Sequence, residues 1–501
     1  MDQVKPTALF ETTGHGADQG RRTPADIQST SIEIPLVVDL DGTLLCTDML
    51  HESFFASVQQ GLRHHWSTMT ALRSGKAHLK AHLAGASTID PDLLPYNSDV
   101  LGLIRDAKSK GRQVFLATAS DRGHADAIAA HLGLFDGVFA SDGSVNLSGA
   151  AKSSVLIEAL GDRGFDYVGN GHADLPIWSH ARKAYVVTNS PAFKRKVELL
   201  CGPIEYIELA RPSLRAWLKA LRIHQYAKNG LIFVPLLTAH AYAPQYVLKA
   251  LLAFVAFSLC ASSVYLLNDL IDLRADRQHP TKQLRPFASG TIPLAHGVIA
   301  IPILLATAYV LAASISLLFT AVLTGYFALT VAYSFTLKRR LMVDIVVLAS
   351  LYTIRVVAGA AALPVVPSEW LLAFSMFTFT CLALVKRYVE LALRIDRELP
   401  DPSNRNYRLI DLPIIGALAA ASAFNAVTIF ALYVSSSAVV GMYRHPELLW
   451  LECPILMYWL SRMVLLAHRR VVDDDPIVFA LRDRNSRVCG VFMIAIVLIA
   501  S

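Results

Sequence analysis

From residue 229 onward the chain consists of apolar runs long enough to cross a lipid bilayer. A membrane-spanning helix needs roughly 20 apolar residues, and a helix satisfies its own backbone hydrogen bonds inside the bilayer. The sequence therefore predicts an all-α polytopic membrane domain over 229–501. We expect about nine transmembrane helices, near 229–241, 246–267, 292–312, 315–335, 343–363, 369–389, 412–436, 447–467 and 488–501.

Arginine and lysine are distributed unevenly among the loops between these runs. If the residues before the first run are cytoplasmic, the loops on the opposite side hold one basic residue, Arg444. This asymmetry sets the orientation by the positive-inside rule. The first 23 residues also lack the apolar core of a signal peptide. We therefore predict a multi-pass protein of the bacterial inner membrane whose candidate sites face the cytoplasm.

Residues 1–228 have the mixed composition of a soluble region. Within them, 1–31 are polar and predicted to be disordered, and 32–205 are predicted to form an α/β domain with a helical cap at about 46–100. Residues 206–228 are predicted to form an amphipathic helix lying on membrane lipid. The formal net charge of +6 is modest and suits basic loops at an anionic membrane, not a nucleic-acid partner. No feature of the sequence sets the oligomeric state.

A charged segment, NDLIDLRADRQHPTKQLRPFASG, separates the second and third apolar runs. The spacing of Asp269, Asp272 and Asp276 places all three carboxylates on one helix face, and the arginines between them point away. We expect these acids to bind Mg²⁺, which takes carboxylate and phosphate oxygens. The basic residues downstream, Lys282 and Arg285 among them, could hold the rest of a polyphosphate. A solvated helix end with mixed charges is the alternative.

In the region 32–205, three short strands each end in polar residues: IPLVVDLDGTLL, VFLATASDR and FDYVGNGHADLPIW. The carboxyl ends of parallel strands meet at one edge of an open α/β sheet, where such folds bind ligands. The polar residues at these ends, with a lysine near the start of an intervening helix, are Asp39, Asp41, Thr118, Lys152, Asn170 and Asp174.

These motifs, in this order, resemble those of the haloacid dehalogenase (HAD)-type phosphohydrolases. The resemblance implies that Asp39 is a nucleophile that forms an aspartyl-phosphate and that Asp41 is a general acid/base. It implies that Thr118 and Lys152 orient and neutralise the phosphoryl oxygens.

The same resemblance implies a Mg²⁺ site at Asp39, Asp41, Asn170 and Asp174. The fourth motif of the family usually begins Gly-Asp, and here Asn170 supplies an oxygen without a charge, which weakens the expected metal affinity. A degenerate HAD fold retained as a scaffold is the alternative, against which the retained acids and lysine argue.

Further polar residues lie inside or beside the apolar runs. The segment YSFTLKRRLMVD brings Tyr333, Lys338 and Asp344 to the start of a span, and Arg355 lies within that span. An isolated cation in the bilayer is unfavourable, so Arg355 must face protein or a polar cavity, either in a structural ion pair or as an anion ligand.

Two basic residues, Lys386 and Arg387, lie near the end of a later span. They could bind an anion, or they could simply extend toward the membrane surface.

NDxxDxxxD at the end of a membrane helix, followed by HPTKxxRPxxxG, resembles the first aspartate-rich motif of the UbiA prenyltransferase superfamily, whose members have nine helices. The resemblance covers about 211–501 and is closest to the decaprenyl-phosphate phosphoribosyltransferases. Aromatic prenyltransferases usually carry a second acidic cluster, DxxxD, near Asp344, whereas here Leu348 takes the place of one acid. The substrate-binding residues that the resemblance implies are Lys228, Asn229, Asn268, Lys282, Arg285, Tyr333, Lys338, Asp344, Arg355, Lys386 and Arg387.

The resemblance implies Mg²⁺-dependent transfer of 5-phosphoribose from phosphoribosyl diphosphate to polyprenyl (decaprenyl) phosphate. The HAD domain would then remove the 5-phosphate to give polyprenyl-phosphate ribose, a precursor of arabinose donors, which in rhizobia serve arabinosylation of nodulation signals. One alternative is a UbiA-type prenyltransferase that moves a polyprenyl group from its diphosphate to an aromatic or other acceptor. Another is a non-catalytic membrane scaffold with a regulatory HAD domain.

Overall fold

The computed structural model describes residues 34–59, 89–142, 146–208, 212–363, 365–402, 405–441, 443–472 and 475–501. The tail predicted to be disordered and the middle of the predicted cap, 60–88, lie outside these residues.

The first domain is built on a six-stranded, fully parallel sheet with the order β3-β2-β1-β4-β5-β6. The strands are β1 Leu36–Val38, β2 Val114–Asp121, β3 Gly137–Ser141, β4 Asp166–Gly169, β5 Lys183–Val187 and β6 Ile204–Ile207. The chain runs outward from β1 in one direction and then returns to build β4 to β6 on the other side. The order therefore reverses between β1 and β4, which is where open α/β sheets bind ligands.

Helices cover both faces of this sheet, as its near-continuous apolar strands require. They are α1 Met49–Gln59, α2 Ser98–Ser109, α3 Arg122–Leu132, α4 Ala150–Leu160, α5 Leu175–Trp178 and α6 Pro191–Glu198. Side chains alternate along β1, so Leu36 and Val38 join one apolar core while Val37 joins the other. The predicted α/β fold with helices around a parallel sheet is confirmed.

A short helix, α7 Leu214–Ala220, follows the sheet domain, and Ser213 caps it by accepting a hydrogen bond from the Ala216 N–H. Its apolar residues divide between two environments. Trp217 and Leu221 pack against the protein, while Leu214 and Leu218 are exposed. Only part of the apolar surface predicted for a membrane-surface helix is therefore free to meet lipid.

The rest of the chain is helical. After a 3₁₀ segment at Ile223–Phe233, its helices are α8 Val234–Thr238, α9 Pro244–Ile271, α10 Leu273–Gln278, α11 Leu294–Ile315, α12 Leu317–Phe335, α13 Val343–Ala362, α14 Glu369–Asp396, α15 Leu412–Val434, α16 Ser437–Val440, α17 Glu452–His468, α18 Pro476–Arg482 and α19 Arg484–Ala500. Within the described residues, seven of these helical segments are long and apolar enough to cross a membrane: α9, α11 to α15, and α17.

The other two predicted spans take different forms. The run predicted at 229–241 is a 3₁₀ segment followed by the short helix α8. Pro235 lies in the first turn of α8, where a proline is tolerated. This segment packs directly on the α13 backbone, because a Cβ at Gly359 would lie 2.1 Å from the carbonyl oxygen of Ile232. The last run forms α19, whose 17 residues rise about 25 Å, less than the roughly 30 Å bilayer core. Among the described residues, seven helices therefore have the length and hydropathy of a full span, and the two shorter runs make up the rest of the about nine that were predicted.

The first domain contacts the membrane domain through α1. Phe55 lies in an apolar cluster with Leu270, Leu273 and Phe287, at the end of α9 that carries the aspartates. Beside this cluster, both guanidinium nitrogens of Arg277 donate to the Glu52 carboxylate, at 2.9 and 2.7 Å. The side chains of this ion pair are 7% and 6% exposed, so the contact is almost fully buried.

Candidate active sites

The first candidate site lies at the carboxyl end of β1, where Asp39 is the next residue. Lys152, reaching in from α4, donates hydrogen bonds to Asp39 Oδ1 at 2.7 Å and to the Ala117 carbonyl at 3.1 Å. Thr43 donates to the other Asp39 oxygen at 3.2 Å. Burial raises the pKa of Asp39 to about 7; Lys152 opposes this effect, and two neighbouring acids add to it.

Asp41 lies on the same side of the site, opposite β2. Its Oδ2 accepts hydrogen bonds from Ser120 at 2.6 Å and from Thr118 at 3.5 Å. Its Oδ1 accepts from the backbone N–H of Met49, the first residue of α1, at 2.8 Å. The predicted residues Asp39, Asp41, Thr118 and Lys152 are therefore brought together at one edge of the sheet.

Asp174 is held in place by the loop after β4. Its Oδ2 accepts from the backbone N–H groups of Asn170 and Gly171, both at 3.0 Å, and its Oδ1 accepts from the Tyr167 hydroxyl at 2.9 Å. That hydroxyl also lies 3.1 Å from the Lys152 nitrogen, from which it accepts a hydrogen bond. Asp174 therefore helps to fix Lys152 in place through the Tyr167 hydroxyl.

The Asn170 side chain approaches the loop that carries Asp39 and Asp41. It presses against Gly42, which has a φ of +68°, and a Cβ there would lie 2.1 Å from Asn170 Nδ2. Asn170 thus lies beside the loop that carries Asp39 and Asp41, with its amide nitrogen nearest to Gly42, and the two acids exceed the single lysine in charge. This donor set fits Mg²⁺, which commonly takes one or two carboxylates and completes its shell with water and substrate phosphate.

The second candidate site lies where α9 gives way to α10. The helix bends at Asp272, yet hydrogen bonds from Asp272 N–H to Asn268 and from Asp276 N–H to Asp272 continue the helical turn. Asp269 and Asp276 are buried, whereas the Asp272 side chain is 42% exposed and lies 4.0 Å from the Lys338 nitrogen.

Cations from other segments bind these acids. Arg285 Nη1 donates to Asp269 at 3.1 Å and to Asp276 at 2.6 Å, and Arg222 Nη2 donates to Asp269 at 2.5 Å. Burial raises the pKa of Asp276 to about 6; Arg285 opposes this effect, and Asp269 adds to it. The sequence analysis considered only the arginines between the acids, whereas Arg222 and Arg285 reach them from outside the helix.

No three His, Cys, Asp or Glu side chains among the described residues are grouped closely enough to hold a metal ion by themselves. At the second site a single guanidinium bridges Asp269 and Asp276, so these carboxylates already share one cation. Two carboxylates that converge on one cation are a donor set that fits Mg²⁺ together with substrate phosphate.

A third charged cluster surrounds Asp344 at the start of α13. The fully buried Arg387 donates to Asp344 at 2.7 Å and also pairs with Glu390. Arg405 lies 3.5 Å from both carboxylates, and the Tyr407 hydroxyl donates to Asp344 at 2.5 Å. A second acid does accompany Asp344, but it comes from α14, and two arginines balance the pair.

Arg355 is enclosed by protein. Its Nε donates to the Asn229 side chain at 2.9 Å, and its guanidinium lies 5.2–5.3 Å from the ring centroids of Phe257, Tyr326 and Tyr352. It is 4% exposed, so it supports Asn229 and the aromatic cage around it. Neither predicted environment, an ion pair or an open anion site, describes this geometry.

Lys228 is buried and pairs with Asp475, which caps α18 by accepting from the Ile477 and Val478 N–H groups. Although burial opposes the effect, Lys228 and Lys386 lower the pKa of Asp475. The half-buried Lys386 forms no hydrogen bond or ion pair with any residue that the structure describes.

The other predicted residues lie around these clusters. Asn268 lies in the last turn of α9, Lys282 is exposed beyond α10, and Tyr333 accepts a hydrogen bond from Arg405 at 3.4 Å.

Several site residues were not predicted from the sequence. Tyr167 had a usable signal, since a tyrosine in a buried strand needs a partner for its hydroxyl. Glu390 belongs to a KRYVE run that was noted for its basic residues. Arg222, Arg405 and Asp475 carry no local signal, because each reaches its partner from a distant part of the chain.

With this geometry established, comparison with known proteins assigns the family. The model of the UbiA prenyltransferase family matches residues 231–486, just over half of the chain. The chain belongs to the UbiA prenyltransferase family.

The relatives fall into two groups. The chain is 39% identical to protein y4nM of Sinorhizobium fredii over 93% of this chain and 90% of that one. It is 34% identical to the nodulation protein NoeC of Azorhizobium caulinodans over 56% of this chain and 91% of that one. It is 40% identical to the decaprenyl-phosphate phosphoribosyltransferase of Mycobacterium tuberculosis, but over only 35% of this chain and 60% of that one.

Two solved structures are similar to separate parts of the chain. A UbiA homologue from Archaeoglobus fulgidus bound to GPP and Mg²⁺ is 14% identical, with a TM-score of 0.44 over 57% of this chain and 99% of that one. An HAD family hydrolase from Salmonella enterica is 14% identical, with a TM-score of 0.26 over 34% of this chain and 68% of that one.

Proposed function

We propose that the membrane domain transfers 5-phosphoribose from phosphoribosyl diphosphate to a polyprenyl phosphate, and that the HAD-type domain then removes the 5-phosphate. One observation carries the transferase assignment: a single acid-rich site lies beside separate cationic side chains. That arrangement provides for two anionic substrates, one with a diphosphate that leaves and one with a phosphate that attacks.

The acids of the membrane domain support one metal–diphosphate site. Asp269 and Asp276 are bound by Arg222 and Arg285, whose side chains are 19% and 27% exposed, whereas Asp344 and Glu390 are both bound by the fully buried Arg387. The second acid pair therefore has a buried counterion, and we assign the metal to the first pair. Magnesium at Asp269 and Asp276 would neutralise charge on the departing diphosphate.

The lysines support a second anion site. Lys386 has no described partner, and burial lowers the pKa of Lys338, an effect to which Arg405 adds and which Asp272 opposes. A lipid phosphate is largely dianionic at neutral pH, since its second pKa is about 6, and so it needs no general base to attack the ribose carbon. What the reaction requires is cations that hold two anions together, which these lysines supply. A prenyl transfer to a neutral acceptor has only one anionic substrate and so needs fewer cations.

The first domain has the groups for removing a phosphate from the product. Asp39 would attack the phosphorus atom while Asp41 protonates the departing ribose 5-oxygen. Lys152 would hold a phosphoryl oxygen, with Thr118 beside it. Asp41 would next take a proton from the water that hydrolyses the aspartyl-phosphate, which returns both acids to their starting state. Mg²⁺ at Asp39, Asp41 and Asn170 would offset the charge of the phosphate.

The same proposal places the protein in the bacterial inner membrane, with both sites on the cytoplasmic side. Basic residues dominate the loops at the end of the helices that carries Asp269, and the positive-inside rule assigns that end to the cytoplasm. The similarity to a decaprenyl-phosphate phosphoribosyltransferase supports decaprenyl phosphate as the lipid. The similarity to a nodulation protein supports a product that leads to arabinose donors for nodulation signals.

A partition assay tests the transferase. Purified protein is mixed with Mg²⁺, decaprenyl phosphate and phosphoribosyl diphosphate labelled in the ribose, and the label in the lipid phase is counted. We expect lipid-bound label from the wild-type chain and none from the D269A variant. Consumption of polyprenyl diphosphate with an aromatic acceptor, and no label in lipid phosphate, would instead establish prenyl transfer.

A further inference from the structure

Two arginines from outside the aspartate-rich helix bind its buried acids. Arg285 lies beyond α10, and Arg222 lies in the linker between the two domains. Asp269 receives hydrogen bonds from both of them, at 3.1 and 2.5 Å, and Asp276 receives one from Arg285 at 2.6 Å. Two carboxylates are therefore balanced by two guanidinium groups.

The acids and the arginines differ in depth. The side chains of Asp269 and Asp276 are 3% and 4% exposed, while those of Arg222 and Arg285 are 19% and 27% exposed. The carboxylates form the floor of the site, and the cations lie nearer its opening. A ligand arriving from solvent would meet the guanidinium groups first.

The linker holds Arg222 in an unusual backbone conformation. Its φ is +53°, in the left-handed region that non-glycine residues rarely adopt. Its guanidinium lies 4.9 Å from the ring centroid of Tyr265 on α9. Such backbone strain persists only where the surroundings fix the residue, and here they direct it onto Asp269.

We propose that Arg222 joins the predicted Arg285 in binding the diphosphate, and that both guanidinium groups neutralise Asp269 and Asp276 until metal and diphosphate bind together. This inference rests on the proposed function in one respect, which is that the donor substrate carries a diphosphate as its leaving group.

Charge balance supports the exchange. A divalent cation at Asp269 and Asp276 replaces both guanidinium groups as the partner of the carboxylates. The two released guanidinium groups then face the incoming diphosphate. Each planar guanidinium can donate two parallel hydrogen bonds to a pair of phosphate oxygens. Each charge has a partner both in the ligand-free protein and in the protein with metal and diphosphate bound. The arginines therefore oppose the binding of metal without diphosphate and favour the binding of both together.

Metal and diphosphate binding are measured separately on the full-length protein in detergent micelles. Mn²⁺ binding is followed by electron paramagnetic resonance without diphosphate, and inorganic pyrophosphate binding is followed by calorimetry with saturating Mg²⁺. Mn²⁺ binding that is lost in D269N belongs to this site, and binding that persists there belongs elsewhere.

We expect R285Q and R222Q to bind Mn²⁺ about tenfold more tightly than wild type and pyrophosphate about tenfold more weakly. Tenfold corresponds to one charge-assisted hydrogen bond of roughly 1.4 kcal/mol. The exposed Arg339, which forms no ion pair with the described residues, supplies the matched control R339Q, and both affinities should stay at wild-type values. R285K keeps the charge, so its Mn²⁺ affinity should stay near that of the wild type. Its pyrophosphate affinity should fall, because lysine cannot donate two parallel hydrogen bonds to a phosphate group as arginine does.

Unchanged or weaker Mn²⁺ binding in both glutamine variants would overturn the competition between arginine and metal. Unchanged pyrophosphate binding would overturn the assignment of these arginines to the diphosphate. Thermal unfolding of each variant identifies any misfolded protein, and R285K then carries the test. Neither measurement uses a pentose or a lipid, so a failure of the proposed transfer reaction leaves their outcome unaffected.

Discussion

The hydroxyl of Tyr167 links the two sides of the candidate site at the carboxyl end of β1. It accepts a hydrogen bond from Lys152 and donates one to Asp174, and all three side chains are buried. Lys152 in turn binds Asp39, so the position of the nucleophile depends on a tyrosine that would not touch substrate. Buried polar networks of this kind are rigid when every member is satisfied, and they lose their geometry when one member is removed.

Substituting Tyr167 with phenylalanine tests this dependence. We expect Y167F to lower the rate of phosphate release by about 10- to 100-fold and to destabilise the protein by about 1–2 kcal/mol, because two hydrogen bonds lose their partner. The matched control is Y185F, which removes a hydroxyl on the adjacent strand β5, outside the site. Phosphate release is measured with a soluble phosphate ester. Equal rates for Y167F and wild type would show that Lys152 keeps its position without the tyrosine.

At the scale of elements, helix α13 has a buried arginine, Arg355, in its interior. A cation in the bilayer must be enclosed by polar or aromatic groups, and Arg355 is surrounded by three rings and Asn229. Asn229 follows Lys228 in the chain, and its side-chain amide donates a hydrogen bond to the Ser258 hydroxyl on α9 at 2.9 Å. Arg355 therefore connects α13 to the first membrane segment and to α9.

We expect R355Q to lower the free energy of unfolding by about 2–3 kcal/mol, since it removes a buried charge-assisted hydrogen bond and the cation–ring contacts. The exposed Arg340 provides the control R340Q, which should unfold like the wild type. Thermal unfolding in detergent measures both. A folded R355Q with wild-type stability and lost pyrophosphate binding would instead make Arg355 an anion ligand.

Two C-terminal helices start with the same arrangement, which allows a matched comparison. Asp475 caps α18 and pairs with Lys228, and Asp483 caps α19 and pairs with Arg462. We expect D475N and D483N each to cost about 1–2 kcal/mol of stability through loss of a cap and an ion pair. Only D475N should raise the KM for the lipid phosphate, by about tenfold, because Lys228 is one of the predicted substrate-binding residues and Arg462 is not. Equal KM values in the two variants would remove Lys228 from substrate binding.

Local motifs explain which of these residues could be predicted. Asp39 and Asp41 follow a strand directly, and Asp269 and Asp276 lie on the consecutive helices α9 and α10, so spacing alone predicts that each pair lies on one side. The parallel sheet followed from apolar strands separated by helices. Membrane helices followed from length and hydropathy, and among the described residues seven of the predicted runs form helices long and apolar enough to cross a membrane.

The remaining contacts depend on tertiary structure. Lys228 and Asp475 are 247 residues apart, and Glu52 and Arg277 are 225 residues apart. No periodicity links such positions, because an ion pair between distant segments forms only after the helices have packed. The same reason explains why Arg222 was not predicted as a partner of Asp269.

At the scale of the whole molecule, α1 connects the two candidate sites. Its first backbone N–H, on Met49, holds Asp41, and one turn later Glu52 holds Arg277, the residue after Asp276. Arg277 Nε also donates to the Ala288 carbonyl at 3.0 Å. The helix that holds Asp41 is thus fixed on the membrane domain by a buried ion pair to the residue that follows Asp276.

Reversing the charges of this pair tests the docking. E52R and R277E each leave two like charges buried together, which is strongly unfavourable, so we expect each to lower phosphate release from the lipid product by at least tenfold. The double variant E52R/R277E restores opposite charges and should recover much of that loss. Hydrolysis of a small soluble ester serves as the control for an intact Asp39 site. A double variant no better than the single ones would show that the pair does not position the domain.

The most direct test of the central claim follows two labels through one reaction. The full-length protein receives Mg²⁺, decaprenyl phosphate and phosphoribosyl diphosphate that carries ¹⁴C in the ribose and ³²P in the 5-phosphate. The wild-type chain should place ¹⁴C in the lipid and release ³²P as orthophosphate, D39N should retain both labels in the lipid, and D269N should place neither there. Lipid that keeps ³²P in the wild type, or ¹⁴C that never reaches lipid, would contradict the account of two successive sites.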